Sequence, residues 1–166
     1  MEQQYEITVN SNSIGPIQVY IIGRDAPEKR IKEAIKFLND INLSIQIKLI
    51  SKSNRKFISE HKIFYIKDYS ELEDFDKDNS ILLNFSNVES FSLVIAEWLA
   101  SGLPVISIKN CKLDSLWKNY KGFFSLEEFG SVCENLAQYR LDDDREVYVP
   151  RKHGKYLEEF LDCIME

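Results

Sequence analysis

Four charged residues are best placed to do chemistry. Glu89 falls in a turn and Glu97 in a run that is otherwise almost wholly apolar, within NVESFSLVIAEWLASGLPV at 87–105. Arg24 and Lys29 lie five apart in GRDAPEK at 23–29. A carboxylate in an apolar helix needs a partner. It can accept two hydrogen bonds at once, which suits a vicinal diol such as a ribose. A narrow polar stripe of Ser90, Glu97 and Ser101, at spacings of seven and four, satisfies it equally well, and helix geometry leaves both readings open. Two cations beside a helix N-terminus make a diphosphate site. On spacing alone, Arg24 and Lys29 read more readily as ordinary surface cations. Gly23 allows a tight exit and close backbone approach there. With Ser90 as the N-cap, the N–H groups of Phe91, Ser92 and Leu93 become free helix-start donors.

These residues need elements to carry them. Apolar β-rich runs predict strands at 17–23, 43–51, 62–68, 80–86, 103–108 and 121–125, and a weak strand spans Ile7–Val9. Helical spacing of Ile31, Ala34, Ile35 and Leu38 predicts a helix that opens at Pro27, with Lys29 on its first turn. Residues 51–60 read as a loop or a short helix, and 70–75 as one or two helical turns. Helices follow over 90–101 with Gly102 as the stop, over 112–120, and from 126 to about 140. Asp114 and Ser115 read as capping residues. An acidic linker at 141–146, including Asp142–Asp144 as solvated charge, leads to an amphipathic helix at 154–165 with Tyr156, Leu157, Phe160, Leu161 and Ile164 on one side.

Strand and helix alternate, so the expected fold is α/β: a Rossmann-like, doubly wound parallel sheet of about six strands with helices on both faces. The organisation expected is a strand and linker at 1–16, a binding domain at 17–140 and the linker and terminal helix at 141–166. Ligands bind such sheets at the strands' C-terminal ends. That singles out the loops after the first, fourth and fifth strands.

Composition narrows the function. The chain has 166 residues, 44% hydrophobic and 29% charged, and a net charge of −6. An acidic chain of this kind argues against nucleic acid as the main partner. Cys111, Cys133 and Cys163 are odd in number and form no CxxC pair, so neither zinc nor a disulfide framework is expected, and a reducing compartment is. His61 and His153 are isolated. There is no apolar run long enough to span a bilayer and no signal pattern, so a cytoplasmic location is expected.

Taken in order, several segments resemble the family-4 retaining glycosyltransferases of the GT-B fold, and specifically their C-terminal, nucleotide-sugar-binding domain. E-SFSLVIA-E at 89–97 matches the E-x7-E motif, and AEWLASGLPVIS matches the Glu-Ala-small-Gly-x-Pro-Val-Ile pattern. GRDAPEKRIKEAIKFL is similar to the GR…EK segment with its helix, ILLNFS stands at the apolar strand before the motif, and YKGFFSLEEFGSVCENLAQY is similar to the closing strand and helix. The resemblance covers roughly residues 17 to 140. It implies a donor-binding domain that transfers a hexose from a nucleotide diphosphate sugar, UDP- or GDP-linked, with retention. It implies that Arg24 and Lys29 bind the diphosphate and that Glu89 stands near the donor sugar. The N–H groups of Phe91, Ser92 and Leu93 would contact sugar and phosphate, Glu97 would grip the ribose, and residues 66–68 would lie near the base. No metal and no further cofactor are implied.

The chain also departs from that pattern. Ser90 and Ser92 stand where the family often has glycine, which predicts an altered sugar fit. SKSNRKF after the second strand and KNCK after the fifth lack the usual glycines. Only one of the family's two domains is present, so the acceptor-binding domain is expected to precede this segment or to come from a partner chain, with any peripheral membrane association through that partner. The isolated domain is then expected to be inactive. The alternative is a non-catalytic relative that serves as a binding or assembly partner of a true transferase. A third reading is a flavodoxin-like regulatory domain with Asp25 or Asp68 as phosphoacceptor, but the surrounding pattern is wrong for it.

Overall fold

A computed structural model describes residues 15–68, 71, 76–88, 92–117 and 120–136. The strands are β1 (Ile17–Ile22), β2 (Ile45–Ile50), β3 (Lys62–Ile66), β4 (Ser80–Asn84), β5 (Val105–Ser107) and β6 (Phe123–Ser125). The helices are α1 (Ile31–Asn39), α2 (Leu93–Ala100), α3 (Cys111–Trp117) and α4 (Phe129–Glu134). The six strands form one sheet in the order β3-β2-β1-β4-β5-β6, with every pairing parallel. Each expected strand at 17–125 is present, trimmed by a residue or more at its ends. The expected strand at 7–9, most of the turn at 70–75 and everything after residue 136 lie outside the described residues.

Strand side chains alternate between two cores. Val19, Ile21, Ile47, Ile81 and Leu83 pack on one face with α1 and α4. Tyr20, Leu82 and Val105 pack on the other with α2 and α3. There the Tyr20 and Trp98 rings lie 5.2 Å apart and tilted. Because both faces are covered, β1 and β4 read as largely apolar runs, whereas Gln46 and Lys48 interrupt β2.

The segment after β1 differs from the expected single helix. Pro27–Lys29 form a 3-10 turn, and Arg30 then adopts the left-handed region at φ 50°, ψ 44° before α1 begins. Lys29 therefore sits on a separate turn. Residues 52–61 form no helix; they seal the end of α1. The Asn39 side chain accepts the Glu60 N–H at 2.9 Å, and His61 Nε2 lies 2.7 Å from the Leu38 carbonyl. His61 thus has a structural task at the helix end.

The ends of α2 follow local chemistry. The N-cap is Ser92, whose hydroxyl accepts the Ile95 N–H at 3.3 Å, and not the expected Ser90, which lies outside the described residues. At the other end Gly102, at φ 71°, donates to Leu99, and Leu103 donates to Trp98, each at 3.0 Å. This is the Schellman closure, and its left-handed residue favours glycine.

Candidate functional site

In a sheet of this order, the crossovers on either side of β1 and β4 run in opposite directions, leaving a crevice at those strands' C-terminal ends. A cavity of ≈ 380 Å³ lies there. Gly23, Arg24 and Lys29 line it from the loop after β1, Asn84 from the end of β4, and Ser92 and Val94 from the start of α2. Gly23 sits at φ 157°, a conformation that L side chains rarely adopt; a Cβ there would be in ordinary contact with Lys29 Cδ at 3.4 Å.

Of the residues expected to form a site, Gly23, Arg24, Lys29 and Ser92 are brought together around this cavity. Leu93 is 52% exposed and does not line it. Glu97 is half-buried on α2 and does not line it either. Glu89, Ser90 and Phe91 lie outside the described residues. With Ser92 as cap, the early N–H groups of α2 belong to Leu93 and Val94, so the helix starts two positions later than expected. The Ser101 hydroxyl donates to the main-chain carbonyl of Glu97 at 2.7 Å, so the polar stripe runs through the backbone at that point.

Neighbouring loops clamp the cation segment. Arg24 donates to Glu28 at 2.5 Å, and the Glu28 carbonyl accepts the Asn87 N–H at 3.1 Å. The Glu28 carboxyl is held below its usual range, first by its own main-chain N–H and then by Arg24 and Lys29. Asp25 accepts from Ser53 at 3.1 Å and from Arg55 at 3.3 Å, which ties the loop after β2 to the loop after β1. That pairing gives Asp25 a structural role, at odds with its use as a phosphoacceptor.

Two site residues were not singled out from sequence. Asn84 ends an apolar strand and links it to β5, donating to the Ser107 hydroxyl at 3.0 Å and accepting the Ser86 N–H at 3.4 Å. Its signal was a lone amide in ILLNFS. Glu28 was hidden among ordinary surface charges. A second cavity, of ≈ 490 Å³, lies beyond β5 and β6, but its carboxylates are used locally. Asp114 accepts the Asn110 N–H at 3.1 Å, in keeping with its expected capping role, and Glu128 accepts from Ser125 at 2.8 Å. Among the described residues no His, Cys, Asp and Glu group could hold a metal ion, and no helix is long and apolar enough to cross a membrane.

No family model and no curated protein sequence matches the chain. Solved structures do. The apo form of WaaB, a lipopolysaccharide outer core galactosyltransferase, superposes with a TM-score of 0.54 at 15% identity, over 96% of this chain and 51% of its own. TarM gives 0.51 at 15% identity, over 97% of this chain and 38% of its own. The GtfA/B complex gives 0.50 at 14% identity, over 95% and 38%. The chain thus spans about half, or less, of the length of these relatives. Its six parallel strands, with helices on both faces, have the Rossmann-like α/β fold of a GT-B glycosyltransferase domain.

Proposed function

We propose that this chain is the donor-binding domain of a retaining glycosyltransferase of the family-4 type, acting in the cytoplasm. It takes a hexose from a UDP- or GDP-linked sugar, and the acceptor is held by a further domain or a partner chain. The observation that carries this reading is the meeting of Arg24, Lys29 and the start of α2 at one cavity where the strand order reverses.

The chemistry follows from the charges. When the glycosidic bond breaks, the departing nucleoside diphosphate gains negative charge. Arg24 and Lys29 neutralise that charge as it develops, which lowers the barrier without a metal. The early N–H groups of α2 face the distal phosphate and the sugar. Glu97 accepts from the ribose hydroxyls, and Glu89 stands near the donor sugar. Residues 66–68 lie by the base.

Calorimetry with UDP, GDP and their hexose conjugates tests the reading. One of them should bind, and Arg24→Ala and Glu97→Ala should each weaken it at least about tenfold, the loss of one charge-assisted contact. No binding across the panel would overturn it and favour an assembly partner of a true transferase.

A further inference from the structure

Glu28 occupies an unusual position between the two loops of the crevice. Its carboxylate takes the Arg24 guanidinium at 2.5 Å, and its main-chain carbonyl takes the Asn87 N–H at 3.1 Å. The first contact engages a cation that lines the cavity; the second anchors the loop after β4. Arg24 itself is 76% exposed, whereas the Glu28 side chain is only 26% exposed. The partner of this cation is thus the better-held of the two groups. Glu28 itself lies outside the cavity wall.

We propose that Glu28 is a built-in counter-ion that holds Arg24 until a polyanionic ligand exchanges for it, and so sets the affinity of the crevice for phosphate-bearing ligands. The inference rests on the donor-site reading of Arg24 and Lys29. An entering diphosphate must compete with the Glu28 carboxylate for Arg24, and it also meets that negative charge a few ångströms away. Both effects weaken binding, and both vanish when the charge is removed. Anchoring of the second loop runs through the main chain, so side-chain substitution leaves it in place. The depressed titration of Glu28 agrees with a carboxylate that stays charged whenever the crevice is empty.

The test is pyrophosphate binding by calorimetry at low salt, with wild type, Glu28→Gln and Glu28→Ala, each also in an Arg24→Ala background. Both Glu28 variants should bind roughly threefold to tenfold tighter, as expected for an exposed pair released at low ionic strength. The gain should shrink without Arg24 to the part left by direct repulsion, and the difference isolates the pairwise effect. Weaker binding in Glu28→Ala would mean that Glu28 orients Arg24 for its ligand, and would overturn the proposal. A gain that persists undiminished without Arg24 would overturn it too, by showing a general charge effect. Wild-type binding that neither Glu28 variant alters sinks the counter-ion alone. Absence of binding in all the proteins sinks the donor-site reading with it.

Discussion

The Asn84 amide donates a 3.0 Å hydrogen bond to the hydroxyl of Ser107, joining the C-terminal ends of β4 and β5 beside the candidate site. On its other side the Asn84 carbonyl oxygen accepts the Ser86 N–H at 3.4 Å, at the root of the loop that carries Glu89. Ser107 passes the chain on by donating to the Ile108 carbonyl at 3.0 Å. One side chain therefore sets both the cavity wall and the start of the motif loop.

Asn84→Ala should accordingly act on stability and on the site together. It leaves the Ser86 N–H without its side-chain acceptor, a loss of about 1–3 kcal/mol. Urea unfolding should show that loss. Binding of the nucleotide ligand identified by calorimetry should weaken in parallel, because the loop after β4 loses its anchor. Unchanged ligand affinity in a destabilised variant would confine Asn84 to a structural task.

Ser92 offers a second test. As the cap of α2 it accepts the Ile95 N–H, so Ser92→Ala should cost about 1 kcal/mol and Ser92→Gly only a few tenths. Urea midpoints for the two variants measure the difference. The Gly variant also restores the residue that the resembled family often has there. It is expected to admit donor sugars at least as well as wild type, which calorimetry with the nucleotide sugars checks.

Tyr20 predicts a loss of stability at high pH. Its hydroxyl lies in the core, and burial raises its pKa from the usual 10.0 to about 12, with the neighbouring Ser80 hydroxyl offsetting part of the rise. The unfolded chain therefore releases this proton first. The stabilising contribution is complete below about pH 10 and disappears as pH rises toward 12. Melting temperature followed from pH 9 to 12 should fall, and Tyr20→Phe should flatten that fall. An identical decline in both proteins would count against the assignment.

Cys133 should be unreactive in the folded protein. It lies on α4 and packs against the core that α4 shares with α1, and burial with nearby Glu134 pushes its thiol up to about 12. The thiolate is the nucleophile, so little is present at pH 8. Iodoacetamide should label Cys133 at least about tenfold more slowly in buffer than in urea, where the thiol returns to its ordinary range. Peptide mapping separates it from Cys111 and Cys163. Equal rates would contradict the burial.

How much of this was legible beforehand depended on how local each cause was. The apolar runs at Ile17–Ile22 and Ser80–Asn84, and the helical spacing of Ile31, Ala34, Ile35 and Leu38, announced themselves because burial is encoded along a few consecutive residues. Gly102 was legible for the same reason. The start of α2 was not. Ser90 and Ser92 are both good caps, and which one serves is decided by where the chain leaves β4. The break at Arg30 was equally hidden, since a left-handed arginine has no composition signal.

The sequence by itself determined the alternation of strand and helix, the two-sided core that such apolar strands require, and the presence of two cations just beyond the first strand. Only the tertiary structure decided what those cations face. β1 lies against β4 with Gln18 opposite Ser80, and that non-local pairing puts Arg24 and Lys29 across a crevice from Asn84 and Ser92. It also brings Glu28 to the Asn87 N–H. Local periodicity reports which side of an element is buried. It does not specify which strand becomes its neighbour, because that choice is made by the packing of the whole sheet.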